Sequence, residues 1–197
     1  MSVLRTLQTI VLGLSLLAPA ALAKSEVEIE ASSATNPAPL EAFGAFTRVE
    51  VDKIAMDAPW AGQKANEAAR DNLQANLDER LGPWVEQFNA ASAPTADPRV
   101  LRIEPYVAGI RYISGGKRVF AGAFAGKSRV LLKLRIVDAA TGAVIAEPEF
   151  YQHAAGMAGA YSFGGADKAM LARVATLAAD YLRANQAAAV GGPTGAQ

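Results

Sequence analysis

Ser128-Arg-Val-Leu-Leu-Lys-Leu-Arg-Ile-Val137 is the stretch on which the fold turns. Val130, Leu132, Leu134 and Ile136 share one parity, whereas Lys133 and Arg135 share the other. Successive side chains of a strand point to opposite faces, so this pattern predicts a strand with one face in the core. Asp138-Ala-Ala-Thr-Gly142 follows as a short turn with glycine at its end, and Ala143 to Tyr151 returns as a partner strand. Pro148 has no N–H to give to a ladder, so the returning strand is expected at an edge or interrupted.

Working outward, Val100 to Ile113 reads as another strand, with Leu101, Ile103 and Val107 alternating with Arg102 and Glu104. Before it, Trp60 to Phe88 reads as a helix. Ala61, Ala65, Ala69, Leu73, Leu77, Leu81 and Val85 recur every four residues, and Ala68, Trp84 and Phe88 broaden the stripe. Gly82-Pro83 is expected to end or kink that helix, and Asn89 to Asp97 to form a loop. From Phe46 the pattern is that of a strand. Val49 and Val51 share a parity that Ile54 and Met56 reverse, which predicts a bulge or strand end near Asp52 and Lys53. Asp167 reads as the N-cap of a closing helix whose stripe is Met170, Val174, Leu177, Ala178 and Tyr181. The order β-α-β-β-β-α predicts an α+β two-layer sandwich: a mainly antiparallel sheet of four or five strands with two helices on one face.

The first residues give an address. Arg5, the apolar run Ile10 to Leu17 and the small-residue site Ala21-Leu22-Ala23 together read as a secretory signal peptide, too short in its apolar core to span a bilayer. The expected organisation is a signal at 1–23 cleaved between Ala23 and Lys24, a flexible entry segment at 24–40 rich in Ser, Ala, Pro and Asn, one α+β domain at 41–186 and a disordered tail at 187–197. Val27 and Ile29 are the candidates for a short edge strand in the entry segment. A soluble protein exported to a bacterial periplasm follows, without a lipid anchor, because the chain has no cysteine to carry one.

Composition excludes several chemistries. The chain has 19 basic and 19 acidic residues, one histidine and no cysteine. Near-neutral, interspersed charge gives no reason to seek nucleic acid. Without cysteine there are neither disulfides nor thiolate metal sites, and His153 alone rules out a metal site built from several imidazoles. No calcium-loop pattern occurs, and no cofactor is expected.

Ala121-Gly-Ala-Phe-Ala-Gly126-Lys127-Ser128 meets the relaxed form of a phosphate-binding loop. That chemistry requires a helix after the loop, so that its N-terminus faces the anion. Here a strand pattern follows, and the motif reads as a glycine-rich entry to β structure. A serine nucleophile would have to recruit His153, with Ser162 nearest in sequence, but Tyr161-Ser162-Phe163 lacks the glycine two residues earlier that a nucleophile elbow uses. Glu147 and Glu149 lie two apart on a strand and share a face, which reads as a solvated edge rather than a glycosidase pair. Two glycine-rich segments remain: Ser114 to Gly126, with Val119, Phe120 and Phe124, and Ala154 to Gly165, with Met157, Tyr161 and Phe163. Their aromatics either complete the core or dock a partner or lipid surface. Phe120, Phe124, Tyr161 and Phe163 are the candidate partner contacts.

The run Gly122 to Gly142, then a glycine-rich stretch and a closing helix, resembles a family of exported bacterial proteins known as a domain of unknown function. That family is itself similar to the α/β domain at the N-terminus of the Tol translocation protein and in the curli-secretion lipoprotein. The resemblance spans Phe43 to Arg183. It implies an envelope protein with no catalytic residues to carry over; many such relatives are lipoproteins, from which the missing cysteine departs. The function expected is a non-enzymatic periplasmic binding or adaptor protein whose partner is another envelope protein, with no nucleic acid and no stable membrane anchor. A periplasmic hydrolase using His153, or a membrane-active protein acting through its glycine-rich loops, are the alternatives.

Overall fold

The computed structural model describes residues 28–91, 97–113, 126–154 and 165–196. The predicted central strand is β5, and the strand paired antiparallel to it along almost its whole length is β4; they run over Arg129–Asp138 and Val100–Arg111. Val130, Leu132, Leu134 and Ile136 on β5 are fully buried, as are Leu101, Ile103 and Ile110 on β4. The turn forms as its sequence dictates. Gly142 takes a positive φ of 72°, a conformation glycine adopts without Cβ strain, and Asp138 Oδ1 accepts the backbone N–H of Ala140 at 3.0 Å.

The returning segment is split, as Pro148 requires. It forms β6 (Val144–Ala146) and β7 (Glu149–His153), both antiparallel to β5, and the Pro148 carbonyl still accepts the Leu134 N–H at 3.0 Å. On the far side of β4 the first strand is likewise split, into β2 (Arg48–Val51) and β3 (Ala55–Met56), with the break at Asp52 to Ile54 where parity reverses. Both run parallel to β4. They have to: the long helix between them and β4 carries the chain back across the sheet, the crossover that parallel neighbours need. The result is an α+β fold with a mixed six-stranded sheet.

That helix, α1, spans Lys64–Ala91, and the closing helix, α2, spans Gly165–Ala187. Three expectations change here. Residues 60–63 precede α1 instead of starting it, and the helix ends at Ala91, inside the stretch expected as a loop. Pro83 neither ends the helix nor prevents its last two turns. Pro83 and Glu79, whose carbonyl loses the proline's N–H, are both exposed, so water can take that place, while Leu81, Trp84 and Phe88 bury the same helix on its other side. Asp167 is not an N-cap. It lies two residues inside α2, fully buried and engaged, where a carboxylate meets the positive end of the helix dipole. The two helices lie together on one face of the sheet. Trp84 Nε1 donates to Gln186 Oε1 at 2.8 Å and Arg80 Nε to Thr176 Oγ1 at 2.9 Å. Tyr181 on α2 meets Phe150 of β7 edge-on and Phe43 at a tilt, which joins the helix to the sheet. Burial pushes the Tyr181 phenol up to about 12, so it stays a donor and bonds the Pro37 carbonyl at 3.1 Å.

The chain ends differ most from expectation. The region expected as a disordered tail holds β8 (Gly192–Pro193), which pairs antiparallel with β1 (Thr35–Asn36) in the entry segment as a second small sheet. Thr194 is fully buried and its carbonyl accepts the Tyr151 N–H on the β7 edge at 2.7 Å. The Asn185 side chain accepts the N–H groups of Val190 and Gly191, both at 2.8 Å, and thereby turns the chain out of α2. The entry segment is held as well: Ile29 packs with Leu131 and Tyr151 on the sheet face turned away from the helices. Arg99 bonds Glu41 through both terminal nitrogens, at 2.8 and 2.6 Å, and Asp138 at 2.9 Å.

Leu134→Ala is expected to cost about 2–5 kcal/mol, because it leaves a cavity where a fully buried side chain stood. Lys133→Ala, on the opposite face, should cost about 1 kcal/mol or less. Urea unfolding with unchanged slope checks both; equal losses would contradict the placing of the main core on the Leu134 side of β5.

Candidate functional site

Two places on the molecule collect polar or cationic side chains. The first is the sheet face opposite the helices. Because Glu50, Arg102, Glu104, Lys133, Arg135 and Glu149 take the parity that the core leaves over, they form a ladder of charges across neighbouring strands. Arg135 meets Glu104 at 2.7 Å, Arg48 meets Glu50 at 3.1 Å and Lys133 meets Glu149 at 3.2 Å. Opposite charges facing each other across strands add modest stability.

Where the entry segment crosses β7, this face is enclosed into an open cavity of about 250 Å³, lined by Ser32, Ser33, Thr35, Asn36, Tyr106, Lys133, Glu147 and Glu149 among others. The pair Glu147 and Glu149 separates in environment: Glu147 is exposed and Glu149 is buried. Burial alone would raise the Glu149 carboxyl. The Ser32 hydroxyl and backbone N–H, which both donate to it, and the Lys133 ammonium outweigh that and hold it below the ordinary carboxylate value. A carboxylate held ionised and fully engaged is poorly placed to act as a general acid. Asn36 fixes the same strand edge, accepting the Glu149 N–H at 2.8 Å and donating to its carbonyl at 2.9 Å. Among the described residues no buried side-chain nitrogen or oxygen lacks a partner, and no group of three His, Asp or Glu is placed to hold a metal ion.

The second place is the end of the sheet where β4 stops and β5 begins. Ser128 organises it. Its hydroxyl accepts the Ile113 N–H at 3.0 Å and its carbonyl accepts the Ala154 N–H at 2.9 Å. Ile113, Ser128 and Ala154 are therefore tied together, and the two glycine-rich segments leave the described fold from this one end. Phe120, Phe124, Tyr161 and Phe163, the candidate partner contacts, lie outside the described residues, as do Ser162 and the cleavage pair Ala23 and Lys24. Lys127 is exposed and Ser128 opens a strand rather than a helix, so the strand–loop–helix setting of a phosphate-binding loop is not present here. His153 is exposed on β7, opposite Arg129, and its ring centroid lies 6.0 Å from that of Tyr151. No described serine or carboxylate is hydrogen-bonded to it.

The sequence reading found the loops and the isolated histidine but not the cavity. Ser32 and Asn36 meet Glu149 across more than a hundred residues, a contact with no local signature in a segment read as loop.

No protein-family model matches the chain, and no curated protein matches it. Among solved structures it is similar to a variant PelC dodecamer from Paraburkholderia phytofirmans, with 19% identity over 71% of this chain and 90% of that one at a TM-score of 0.36. A second PelC dodecamer from the same organism gives 18% identity, 71% and 91% coverage, and 0.34. A protein of Caulobacter crescentus CB15 described as a lipoprotein gives 17%, 70% and 87%, and 0.33. Likenesses this distant assign no role to any residue. The resemblance to the Tol-type domain has no counterpart among them. No helix among the described residues is long and apolar enough to cross a membrane.

Replacing Glu149 with Gln tests the cavity's electrostatics. A carboxyl held lower in the folded than in the unfolded chain contributes stability that is full above the unfolded value of about 4.3 and fades as pH falls through the lower folded value. Glu149→Gln should therefore cost about 1 kcal/mol at pH 7 and flatten the loss of stability below about pH 4.5. Melting temperatures from pH 3 to 7 measure it, and an unchanged acid slope would contradict the assignment.

Proposed function

We propose that this chain is a non-enzymatic binding or adaptor domain of the bacterial cell envelope, working in the periplasm on another envelope protein through its two glycine-rich segments. The leader-like first 23 residues support the address. The observation that carries the role is the tie at Ser128, which gathers the departure points of both segments at one end of the sheet. Binding residues held on loops by a fixed scaffold are the usual way to present a recognition surface. Phe120, Phe124, Tyr161 and Phe163 are the side chains proposed to contact the partner, since aromatics dominate the energetics of interfaces.

A hydrolase would need His153 within reach of a nucleophile and an orienting group. The described carboxylates nearest in the sheet, those of the charge ladder, are already committed to cations and to the entry segment.

Tagged wild type, His153→Ala and the double variant Phe124→Ser with Phe163→Ser are compared for partner recovery from envelope extract, with thermal melts as a folding control. Wild type and His153→Ala should recover the same partner equally. The double variant should recover it at least about tenfold less while melting as wild type does. Loss of recovery on replacing His153, with the double variant unaffected, would contradict the adaptor reading.

A further inference from the structure

The open cavity of about 250 Å³ beside β7 is built on a row of side chains that sheet register sets. Tyr106 on β4 stands opposite Lys133 on β5, and Lys133 stands opposite Glu149 on β7. All three line the cavity, as does Glu147, two residues before β7 begins. The entry segment forms the other wall with Ser33, Thr35 and Pro37 among its residues. Wall and floor are joined at Glu149, which is only 7% exposed and accepts from the Ser32 hydroxyl and N–H, so the space has fixed sides before anything enters it.

The charges around this space do not balance. Elsewhere on the same face each carboxylate is answered: Glu50 by Arg48 and Arg102, and Glu104 by Arg135. In the cavity Lys133 pairs with Glu149. Glu147 is exposed and makes no ion pair or side-chain hydrogen bond among the described residues. The lining thus sets two carboxylates against one ammonium. The hydroxyls of Tyr106 and Thr35 are likewise without a partner among the described residues.

We propose that this cavity binds a primary ammonium group carried on a short aliphatic stem. The ammonium brings the second positive charge, and its three N–H donors are matched by the Glu147 carboxylate and the hydroxyl oxygens of Tyr106 and Thr35. Pro37 and the Tyr106 ring offer apolar surface to the stem, as surfaces that carry lysine stems do. An anion would meet an excess of negative charge. A metal ion would find no group of three acidic or histidine ligands among the described residues. The volume suits one side chain or a small amine rather than a larger ligand. Two sources supply this chemistry, a free aliphatic amine and the lysine side chain of a polypeptide. None of the lining residues belongs to the glycine-rich segments, so the site stands or falls apart from the adaptor reading.

The full chain is titrated at low ionic strength with the diamine cadaverine, with a capped Gly-Lys-Gly peptide and with the same peptide acetylated at its lysine Nε. Amide NMR shifts of Thr35, Tyr106, Lys133 and Glu147 are followed. Saturable shifts with cadaverine alone identify a free amine, and saturable shifts with the lysine peptide identify a polypeptide source. Either result supports the site if the acetylated peptide, which has lost its charge, gives none. Glu147→Gln should weaken binding about tenfold and Tyr106→Phe less, whereas Glu86→Gln, at an exposed carboxylate on α1, should leave it unchanged. Because Glu147 is exposed, its variant should melt as wild type does, which separates lost binding from lost fold. No saturable shift with either amine, equal binding by Glu147→Gln, or equal binding of the acetylated peptide overturns the proposal.

Discussion

The antiparallel ladder between β4 and β5 supports the rest of the molecule. It is the longest strand pairing described, and it presents a row of buried apolar side chains from Leu101 to Ile110 on one strand and from Val130 to Ile136 on the other. Burial of such a row, at about 25 cal/mol per Å², is the dominant favourable contribution to a core of this kind. The other strands attach to it in pairs, β2 and β3 along β4, β6 and β7 along β5, each pair broken where its sequence forces a break. The ladder's irregular point is also used: β4 shifts register between Val107 and Gly109, and Ile29 packs onto Gly109 where a Cβ would meet it at 3.0 Å.

A sheet built this way has two outer edges, and unpaired edges invite association with other chains. Both are closed by the chain itself. On β2, the Asn89 side chain of α1 accepts the Val49 N–H at 2.7 Å and donates to its carbonyl at 3.0 Å, taking the place of a neighbouring strand. On β7, Asn36 does the same for Glu149, and Thr194 takes the Tyr151 N–H. The edges are thereby closed at these points, and the recognition surface proposed here is at the loop-bearing end instead.

What the sequence made legible was whatever repeats locally. Parity along Val130 to Ile136 exposed the central strand, the four-residue recurrence from Ala69 to Leu81 exposed α1, and Pro148 marked the broken edge. The reversal between Val51 and Ile54 located the break in the first strand, though not that both halves run parallel to β4. Pro83 does not end the helix because a helix end depends on what packs around it, and Leu81, Trp84 and Phe88 hold both sides of the proline to the same core. The entry segment and the C-terminal segment read as loop and tail because Ser, Ala, Pro and Asn are frequent in the first and Ala and Gly in the second. Their order comes from Asn36, Asn185 and Thr194 meeting backbone groups far away in sequence. The cavity at Glu149 was hidden for the same reason: cross-strand register decides it, and register is a property of the assembled sheet.

The entry segment and the C-terminal segment thus bond to the same β7 edge and fold as parts of one cooperative unit with the main sheet. Native-state hydrogen exchange tests this most directly, on the amides of Leu134, Tyr151 and Thr194, whose acceptors are Pro148, Thr194 and Ala34. If the account is right, all three exchange only through global unfolding and share one opening free energy. Rapid exchange of Tyr151 and Thr194 beside a protected Leu134 would contradict it, leaving the β7 edge open and the chain ends outside the fold.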